Sequence, residues 1–125
     1  MIKLSDLDNF TGTENWYRHG LMPNVLYTDG VRYLAEHAQA HWLIDKIASL
    51  QLLPNIKGEE FQVWRLKVDD RTAKLTCTDG GNGGPEIELY AETIDYTDFQ
   101  LDEIDLWVEA DPWTHDCVIL LPSEH

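Results

Sequence analysis

Residues 61–68 have the sequence FQVWRLKV, which marks the change in hydrophobic period along the chain. Trp64, Leu66 and Val68 alternate with polar side chains, which is the period of a β-strand with one buried face. N-terminal to Phe61 the apolar residues instead recur at every third or fourth position, as they do in amphipathic helices. The chain therefore changes from helical to strand character at this point.

The helical pattern before this strand covers residues 28–51. Thr28 or Asp29 can accept hydrogen bonds from the free amides of a first helical turn. Pro54 prevents the helix from continuing beyond the pattern. Because the apolar stripe rotates partway along, the spacing predicts either one long curved helix or two helices broken near Gln39.

The strand period continues after residue 68. Strands are predicted over residues 73–77, 87–93, 104–108 and 117–121, with a short edge strand over 16–19 and a hairpin connection at 80–85. We therefore predict an α+β fold in which N-terminal helices pack on one face of a four- to five-stranded antiparallel sheet. The expected unit is a single domain of residues 1–125, with Trp42 and Trp64 in its core.

Length and composition indicate a cytoplasmic protein without a membrane segment. The longest apolar run, residues 117–121, is far shorter than the roughly 20 residues that a membrane helix needs. The N-terminus lacks the apolar stretch of a signal peptide. The two cysteines, Cys77 and Cys117, are too few for a disulfide framework. We expect them to be reduced, buried and without nucleophilic function.

The charge of the chain is strongly acidic and unevenly distributed. The net charge is −14; residues 1–74 contain all nine Lys and Arg with ten Asp and Glu, whereas residues 75–125 contain thirteen Asp and Glu and no Lys or Arg. Such a surface repels nucleic acid and membranes and attracts cations or basic proteins. The charge therefore argues against direct binding to nucleic acid or a membrane and favours a basic protein partner.

Two predicted strands place carboxylates around an aromatic residue. The alternation predicts that the inward residues are Ile87, Leu89 and Ala91 on one strand, and Ile104, Leu106 and Val108 on the other. The opposite face then carries the predicted partner-binding residues: Glu86, Glu88, Tyr90 and Glu92, and Glu103, Asp105, Trp107 and Glu109. Like charges on paired strands are unfavourable by about 0.2–1 kcal/mol a pair, and an exposed tryptophan is typical of a binding surface. An acidic surface that serves only solubility is the open alternative.

A second candidate site lies on the predicted helix. His37, His41 and Asp45 are spaced four residues apart, so in a continuous helix they share one face. Two histidines one turn apart can bind zinc or another transition metal, with Asp45 or His19 completing the site. The alternative is a solvated polar stripe, because two ligands without a clear third make a weak metal motif. No cofactor is predicted.

Five short motifs occur in order along the chain. They are FTGTE at residues 10–14, YTDGV at 27–31, WLID at 42–45, YTDF at 96–99 and LPSE at 121–124. Together they resemble a family of small bacterial proteins that is labelled plasmid-related and classified as a domain of unknown function. The resemblance covers nearly the whole chain. It implies a bacterial or mobile-element origin and supplies no activity or catalytic residues.

The leading hypothesis is a non-enzymatic interaction protein that binds a basic partner through the acidic sheet face. Residues on one side of a strand recur about 6.6 Å apart, which is comparable to the separation of successive phosphates. This spacing suits a nucleic-acid mimic that inhibits a host nuclease or restriction system. The alternative is a small metal-binding protein or enzyme centred on His37, His41 and Asp45. The sequence leaves the oligomeric state open.

Overall fold

Two helices occupy the region predicted to be helical. The computed structural model describes residues 15–81, 84–99, 101–110 and 116–125, so the motif at residues 10–14 lies outside the described part. Helix α1 is Asp29–His37 and helix α2 is His41–Leu50. Between them, Gln39 has a left-handed backbone with a φ of 52°, which a right-handed helix does not accommodate. The helical prediction is confirmed in its two-helix form.

Both helices are short and bury one stripe. Thr28 caps α1, because its side-chain oxygen accepts a hydrogen bond from the Val31 amide at 3.4 Å, which satisfies one free donor of the first turn. The buried apolar side chains are Val31, Leu34 and Ala35 in α1, and Leu43, Ile44, Ile47 and Ala48 in α2. Neither of these helices, nor any other in the described ranges, has the length and apolar character needed to span a bilayer.

The strands of the described residues form one seven-stranded sheet. In chain order they are β1 Trp16–Arg18, β2 Val25–Thr28, β3 Phe61–Asp69, β4 Thr72–Thr78, β5 Glu88–Ile94, β6 Glu103–Ala110 and β7 Cys117–Leu120. A 3₁₀ helix, Pro122–Glu124, follows β7. The spatial order is β1-β2-β7-β6-β3-β4-β5. The pair β2 and β7 is parallel, and the other neighbouring pairs are antiparallel.

The prediction of a four- to five-stranded antiparallel sheet is therefore wrong. The sheet is mixed because β2 pairs in parallel with β7, with Val25 opposite Cys117. β1 then adds to β2 as an antiparallel edge strand, in the region where the sequence predicted one. The sequence around Tyr27 and Thr28 predicts only the entry to a helix and does not indicate the strand that ends at Thr28.

The sheet has an inner face that packs on the helices and an outer face on the opposite side. The inner residues Trp64, Leu66, Leu75, Leu106 and Val108 are each at most 1% exposed. They belong to one buried cluster with Val31, Leu34, Leu43 and Ile47 of the helices. The core position of Trp64 is confirmed. Trp42 packs against the same cluster but is only half-buried.

A buried amide pair orients the Trp64 indole. Gln62 is 0% exposed and exchanges hydrogen bonds with Gln51 at 2.8 and 2.9 Å. Its Oε1 also accepts a hydrogen bond from Trp64 Nε1 at 2.8 Å. Buried polar groups are unfavourable unless they are hydrogen-bonded, and here each of the three side chains has a partner.

Glu124 joins the 3₁₀ helix to the start of α1. Its buried carboxylate accepts hydrogen bonds from the Thr28 hydroxyl at 2.6 Å, the Gly30 amide at 3.1 Å and the Leu121 amide at 3.0 Å. Negative charge is favourable at a helix N-terminus, where the amides are unpaired. Gly30 permits this close approach, because a Cβ there would lie 2.6 Å from Leu121 Cδ1 and 2.7 Å from Glu124 Oε1.

Trp64→Ala should lower the free energy of unfolding by about 3–5 kcal/mol, because it removes a buried ring and leaves a cavity. Urea unfolding followed by circular dichroism measures the change. Trp16→Ala is the control, since Trp16 is 55% exposed and its removal should destabilise far less. Equal losses in the two variants would contradict the core assignment.

Glu124→Ala should lower the free energy of unfolding by about 2–4 kcal/mol, because three donors lose a charged acceptor. Thermal and urea unfolding measure this loss. Glu36→Ala is the matched control, since it removes the same charge from an exposed pair with Arg32 on α1 and should change stability by only a few tenths of a kcal/mol. If both variants unfold at the same urea concentration, the Glu124 contact does not stabilise the fold.

Candidate functional site

The outer face carries an apolar patch that is separate from the core. Trp107 on β6 pairs with Val63 on β3 and with Leu120 on β7, so all three lie on this face. Val63 is 8% and Leu120 is 6% exposed, yet neither belongs to the cluster that joins the sheet to the helices. The outer face therefore has apolar contacts of its own, centred on Trp107.

Three rings meet at this place, and we call Phe61, Trp107 and His125 the aromatic patch. The Phe61 centroid lies 5.3 Å from that of Trp107, edge to face, and the His125 centroid lies 5.1 Å from Trp107 and 6.4 Å from Phe61. Edge-to-face contacts at these distances are favourable. Gly80, with a φ of 80°, lies so close to Phe61 that a Cβ would come within 2.7 Å of the ring.

The carboxylates predicted on β6 also lie on the outer face. Ile104, Leu106 and Val108 are buried, with 5%, 1% and 0% of their surface exposed, and the residues between and beside them in the strand point to the opposite side. These are Glu103, Asp105, Trp107 and Glu109. The predicted orientation of this strand is confirmed, although Trp107 is half-buried and not fully exposed. Its part in partner binding stays a prediction.

The predicted orientation of β5 is wrong. Tyr90 pairs with Cys77 and Glu92 with Leu75, so both lie on the inner face and not beside the β6 carboxylates. Ile87, which was predicted to point inward, is 61% exposed, Ala91 is exposed and Leu89 is half-buried. Glu88 pairs with Thr78 beyond an irregularity in the register, and Glu86 accepts a hydrogen bond from the Thr78 hydroxyl at 3.2 Å.

The physical reason for this orientation is an ion pair with helix α2. Lys46 donates to both Glu92 oxygens, at 3.0 and 2.9 Å, and Tyr90 donates to Glu92 at 2.9 Å. The Lys46 ammonium holds the pKa of the Glu92 carboxyl below its usual value. The Tyr90 ring meanwhile lies 6.1 Å from that of Trp64. Glu92, which is paired with Lys46, and the Tyr90 ring can therefore lie on the inner face.

Arg65 neutralises the middle of the β6 row. Its Nε and Nη2 donate to the two oxygens of Asp105 at 2.9 and 3.1 Å, and Nε lies 3.4 Å from a Glu103 oxygen. Bidentate guanidinium–carboxylate pairs are the stronger type of surface ion pair. The hydrogen bonds to Asp105 raise the pKa of Arg65. Arg65 therefore balances one of these two carboxylate charges, and Asp105 makes the hydrogen bonds.

The carboxylate of Glu109, at the other end of β6, is less completely hydrogen-bonded. Its Oε1 lies 2.7 Å from His125 Nε2, but among the described residues no hydrogen bond of acceptable geometry reaches this buried oxygen. A carboxylate oxygen without a donor retains its capacity to accept one. Glu109 and the adjacent aromatic patch together form the candidate functional site.

The structure does not bring the predicted metal ligands into one site. His37 ends α1 and stacks on Tyr33 at a centroid distance of 4.0 Å, whereas His41 begins α2 after the break at Gln39. The shared helical face that the prediction required is therefore not formed. No group of three or more His, Cys, Asp or Glu side chains in the described ranges could hold a metal ion.

His19 is instead a structural residue that connects the β1–β2 loop to α2. Its Nδ1 accepts hydrogen bonds from the Leu21 and Met22 amides at 3.2 and 3.0 Å, so this nitrogen carries no proton. Nε2 must then carry the proton and donate to Asp45 at 2.7 Å. Both ring nitrogens are engaged, and neither is free to act as a general base.

Comparison with known proteins identifies the family of the chain. A model described as "Family of unknown function (DUF6876)" matches residues 1–125. The chain belongs to this family. The predicted membership of a family of unknown function is confirmed, and the plasmid association stays a prediction. No curated protein matches the chain.

This DUF6876 chain is also similar to a solved bacterial structure. The neighbour is described as a protein of unknown function from Enterococcus faecalis, with a TM-score of 0.54 and 20% sequence identity. The match covers 81% of this chain and 89% of the neighbour. At this identity the likeness concerns the fold alone.

Sequence reasoning missed two members of the DUF6876 candidate site. Phe61 belongs to the second alternating set of the stretch FQVWRLKV, with Val63 and Arg65, so its position on the outer face was available from the period of two. His125 carries no such signal, because only the turn after β7 places its ring against Trp107.

The two cysteines of this DUF6876 chain are free and buried, as predicted. Burial raises the pKa of the Cys77 thiol to about 12, with a smaller contribution from Glu59. Burial likewise raises the pKa of the Cys117 thiol to about 11, with a smaller contribution from Asp116. Since a nucleophilic cysteine reacts as the thiolate, neither thiol is suited to covalent catalysis at neutral pH.

The raised pKa values of the two thiols predict that the folded chain loses stability at alkaline pH. An unfolded cysteine ionises near pH 8.5, whereas the folded thiols stay protonated to about pH 11 or 12. Above pH 8.5 the unfolded chain therefore binds fewer protons than the folded chain. The free energy of unfolding should then fall by up to about 1.4 kcal/mol per pH unit for each thiol.

Urea unfolding between pH 7 and pH 10 measures this effect. The control is the double variant Cys77→Ala, Cys117→Ala, which retains every other group that titrates in the same range. The stability difference between parent and variant should shrink as the pH rises. A difference that stays constant would show that the thiols ionise equally in the folded and unfolded chains.

Proposed function

We propose that this chain is a non-enzymatic interaction protein that binds a basic protein partner through the outer face of its sheet, at Trp107 and Glu109. The supporting observation is a buried Glu109 oxygen that has a 2.7 Å contact with His125 Nε2 but no hydrogen bond of acceptable geometry among the described residues, next to the aromatic patch. Interface hot spots commonly combine a large aromatic side chain with a charge that becomes fully desolvated in the complex. A donor from the partner would satisfy Glu109 while Trp107 supplies apolar contact.

The charge of the chain supports a basic partner. The net charge of −14 creates a field that raises the encounter rate with positively charged proteins. Within the outer face, Arg65 makes two hydrogen bonds to Asp105 at the middle of β6, whereas Glu109 Oε1 has no hydrogen bond of acceptable geometry among the described residues. The general acidity thus favours encounter, and the Glu109 end favours one docking position.

The enzyme alternative has less support. The two candidate nucleophiles, Cys77 and Cys117, are buried and protonated at neutral pH, and both nitrogens of His19 are engaged in hydrogen bonds. The metal-binding alternative needs His37, His41 and Asp45 on one surface, and Asp45 is bonded to His19. No observation in the described part of the chain favours catalysis or metal binding over the binding of a protein partner.

The sheet geometry changes the narrower hypothesis that the chain mimics a nucleic acid with two rows of carboxylates. A mimic that presents two acidic rows would need β5 and β6 to place their carboxylates on one face. Glu92 and Glu109 instead lie on opposite faces. We therefore propose a discrete contact at Glu109 and Trp107 and no continuous phosphate-like track. A nuclease or restriction enzyme remains one class of basic partner that the experiment below distinguishes.

Affinity capture from a bacterial lysate tests the proposal directly. Immobilised protein should retain a basic partner at low salt and release most of it as the ionic strength rises, because exposed charges are screened beyond about 10 Å at 0.1 M salt. Recovery of the same proteins by a Trp107→Ala, Glu109→Gln double variant would contradict it. Competition with duplex DNA then shows whether the partner uses its nucleic-acid site.

The two outer-face residues should differ in the rate constants that they affect. With the recovered partner, Glu109→Gln should slow association slightly, because long-range charge steers encounter, and should also speed dissociation, because a desolvated hydrogen-bonded charge is lost. Trp107→Ala should speed dissociation only. Asp70→Asn is the matched control, since it removes one charge from the β3–β4 turn, at the far end of β3 from the Phe61–Glu109 pair. Surface plasmon resonance gives both constants. If Glu109→Gln speeds dissociation no more than Asp70→Asn does, only net charge matters and the site is wrongly placed.

A further inference from the structure

A pocket opens beside Glu109 on the outer face, between β1 and the aromatic patch. Its volume is about 260 Å³, and it lies between the Trp16 ring on one side and Glu109 and His125 on the other. Val118 and Leu120 of β7 form part of its apolar lining. Pockets for drug-sized ligands usually measure about 300–1,000 Å³. This pocket is below that range and suits a single long side chain.

The lining of the pocket favours a cation. It contains two carboxylates, Glu109 and Glu124, and among the described residues no Lys or Arg lines it. Glu124 is already bonded to three donors and contributes only its negative field. The Oε1 atom of Glu109 has the 2.7 Å contact with His125 Nε2, and no hydrogen bond of acceptable geometry reaches it from the described residues. Trp16, which is 55% exposed, presents an indole, the ring that attracts cations most strongly.

We propose that this pocket binds one arginine side chain of the basic partner, an inference that rests on the proposed function for the source of that arginine. The guanidinium stacks on the Trp16 indole and donates to the Glu109 carboxylate, while the methylene stem packs on Val118 and Leu120. His125 turns away from Glu109 to admit it, which breaks the edge-to-face contact of His125 with Trp107; its side chain is 57% exposed, so the turned ring points into solvent.

Arginine fits this lining better than lysine. A guanidinium is planar, so it can stack on a ring and at the same time direct two parallel N–H groups at a carboxylate. A lysine ammonium is a compact and strongly hydrated charge that does only one of these well. The combination of one exposed indole and one unsatisfied carboxylate therefore selects the planar cation.

A titration with three blocked pentapeptides tests the inference on the intact chain. Each peptide has one central residue, arginine, lysine or its neutral isostere citrulline, flanked by glycines. The indole N–H resonances of Trp16 and Trp107 in isotope-labelled protein report on binding. The arginine peptide should shift the Trp16 resonance in a saturable manner, the lysine peptide should bind more weakly, and the citrulline peptide should cause no saturable shift.

Variants locate the bound arginine. Glu109→Gln should raise the Kd of the arginine peptide about tenfold through loss of a charged hydrogen bond. Trp16→Leu, which keeps apolar bulk in the edge strand, should raise it about threefold through loss of the ring face. Asp70→Asn, which removes a charge at the far end of the sheet, should leave the Kd unchanged. An unchanged Kd in Glu109→Gln, or equal binding of the three peptides, would overturn the inference.

The outcome is independent of the lysate capture. If the arginine peptide fails to bind while partner capture still requires Trp107 and Glu109, the arginine pocket is wrong and the proposed function stands. If the peptide binds in the expected manner but no basic partner is captured, the pocket stands and the proposed function fails.

Discussion

The Glu124 carboxylate is the contact on which the mixed sheet depends. It accepts from Thr28, where β2 passes into α1, and from the Leu121 amide, where β7 has just ended. These two strands are parallel, so a tight turn cannot join them. The Glu124 side chain instead connects their C-terminal ends, a role that a hairpin turn has in an antiparallel pair. The position of Trp16 on β1 follows, because in the described sheet β1 pairs with β2 alone.

The two faces of the sheet differ in how completely their carboxylates are paired. On the inner face, a carboxylate is tolerated only with its partner, as Glu92 is with Lys46, because unpaired charge next to the core is strongly unfavourable. On the outer face, Arg65 pairs with Asp105, and Glu109 is left with a poorly aligned His125 contact. An acidic protein thus concentrates its unsatisfied acceptor beside its exposed aromatic surface. Net charge alone does not reveal this arrangement.

Part of the fold and of the site was predictable from local patterns. The strand at β6 has three strongly apolar residues in one phase, Ile104, Leu106 and Val108, so its orientation followed from alternation. On β5 the exposed Ala91 lies on the same face as Leu89, whereas the inner positions are those of Tyr90 and Glu92. The decisive interaction there is the ion pair with Lys46 from a distant helix, which leaves no mark on the sequence of the strand. The pairing of β2 with β7 is likewise non-local.

That parallel pair also governs how the chain can fold during synthesis. Val25 contacts Cys117, so the topology has a high contact order, and closing so long a loop is entropically unfavourable until other contacts compensate. The β3–β4 hairpin can form as soon as it leaves the ribosome, but β2 has no neighbour on its β7 side until β7 has been translated. The apolar stripes of α1 and α2 meanwhile lack most of the sheet that later buries them. The segment before Phe61, although translated first, is therefore the part of the nascent chain that stays longest accessible to chaperones.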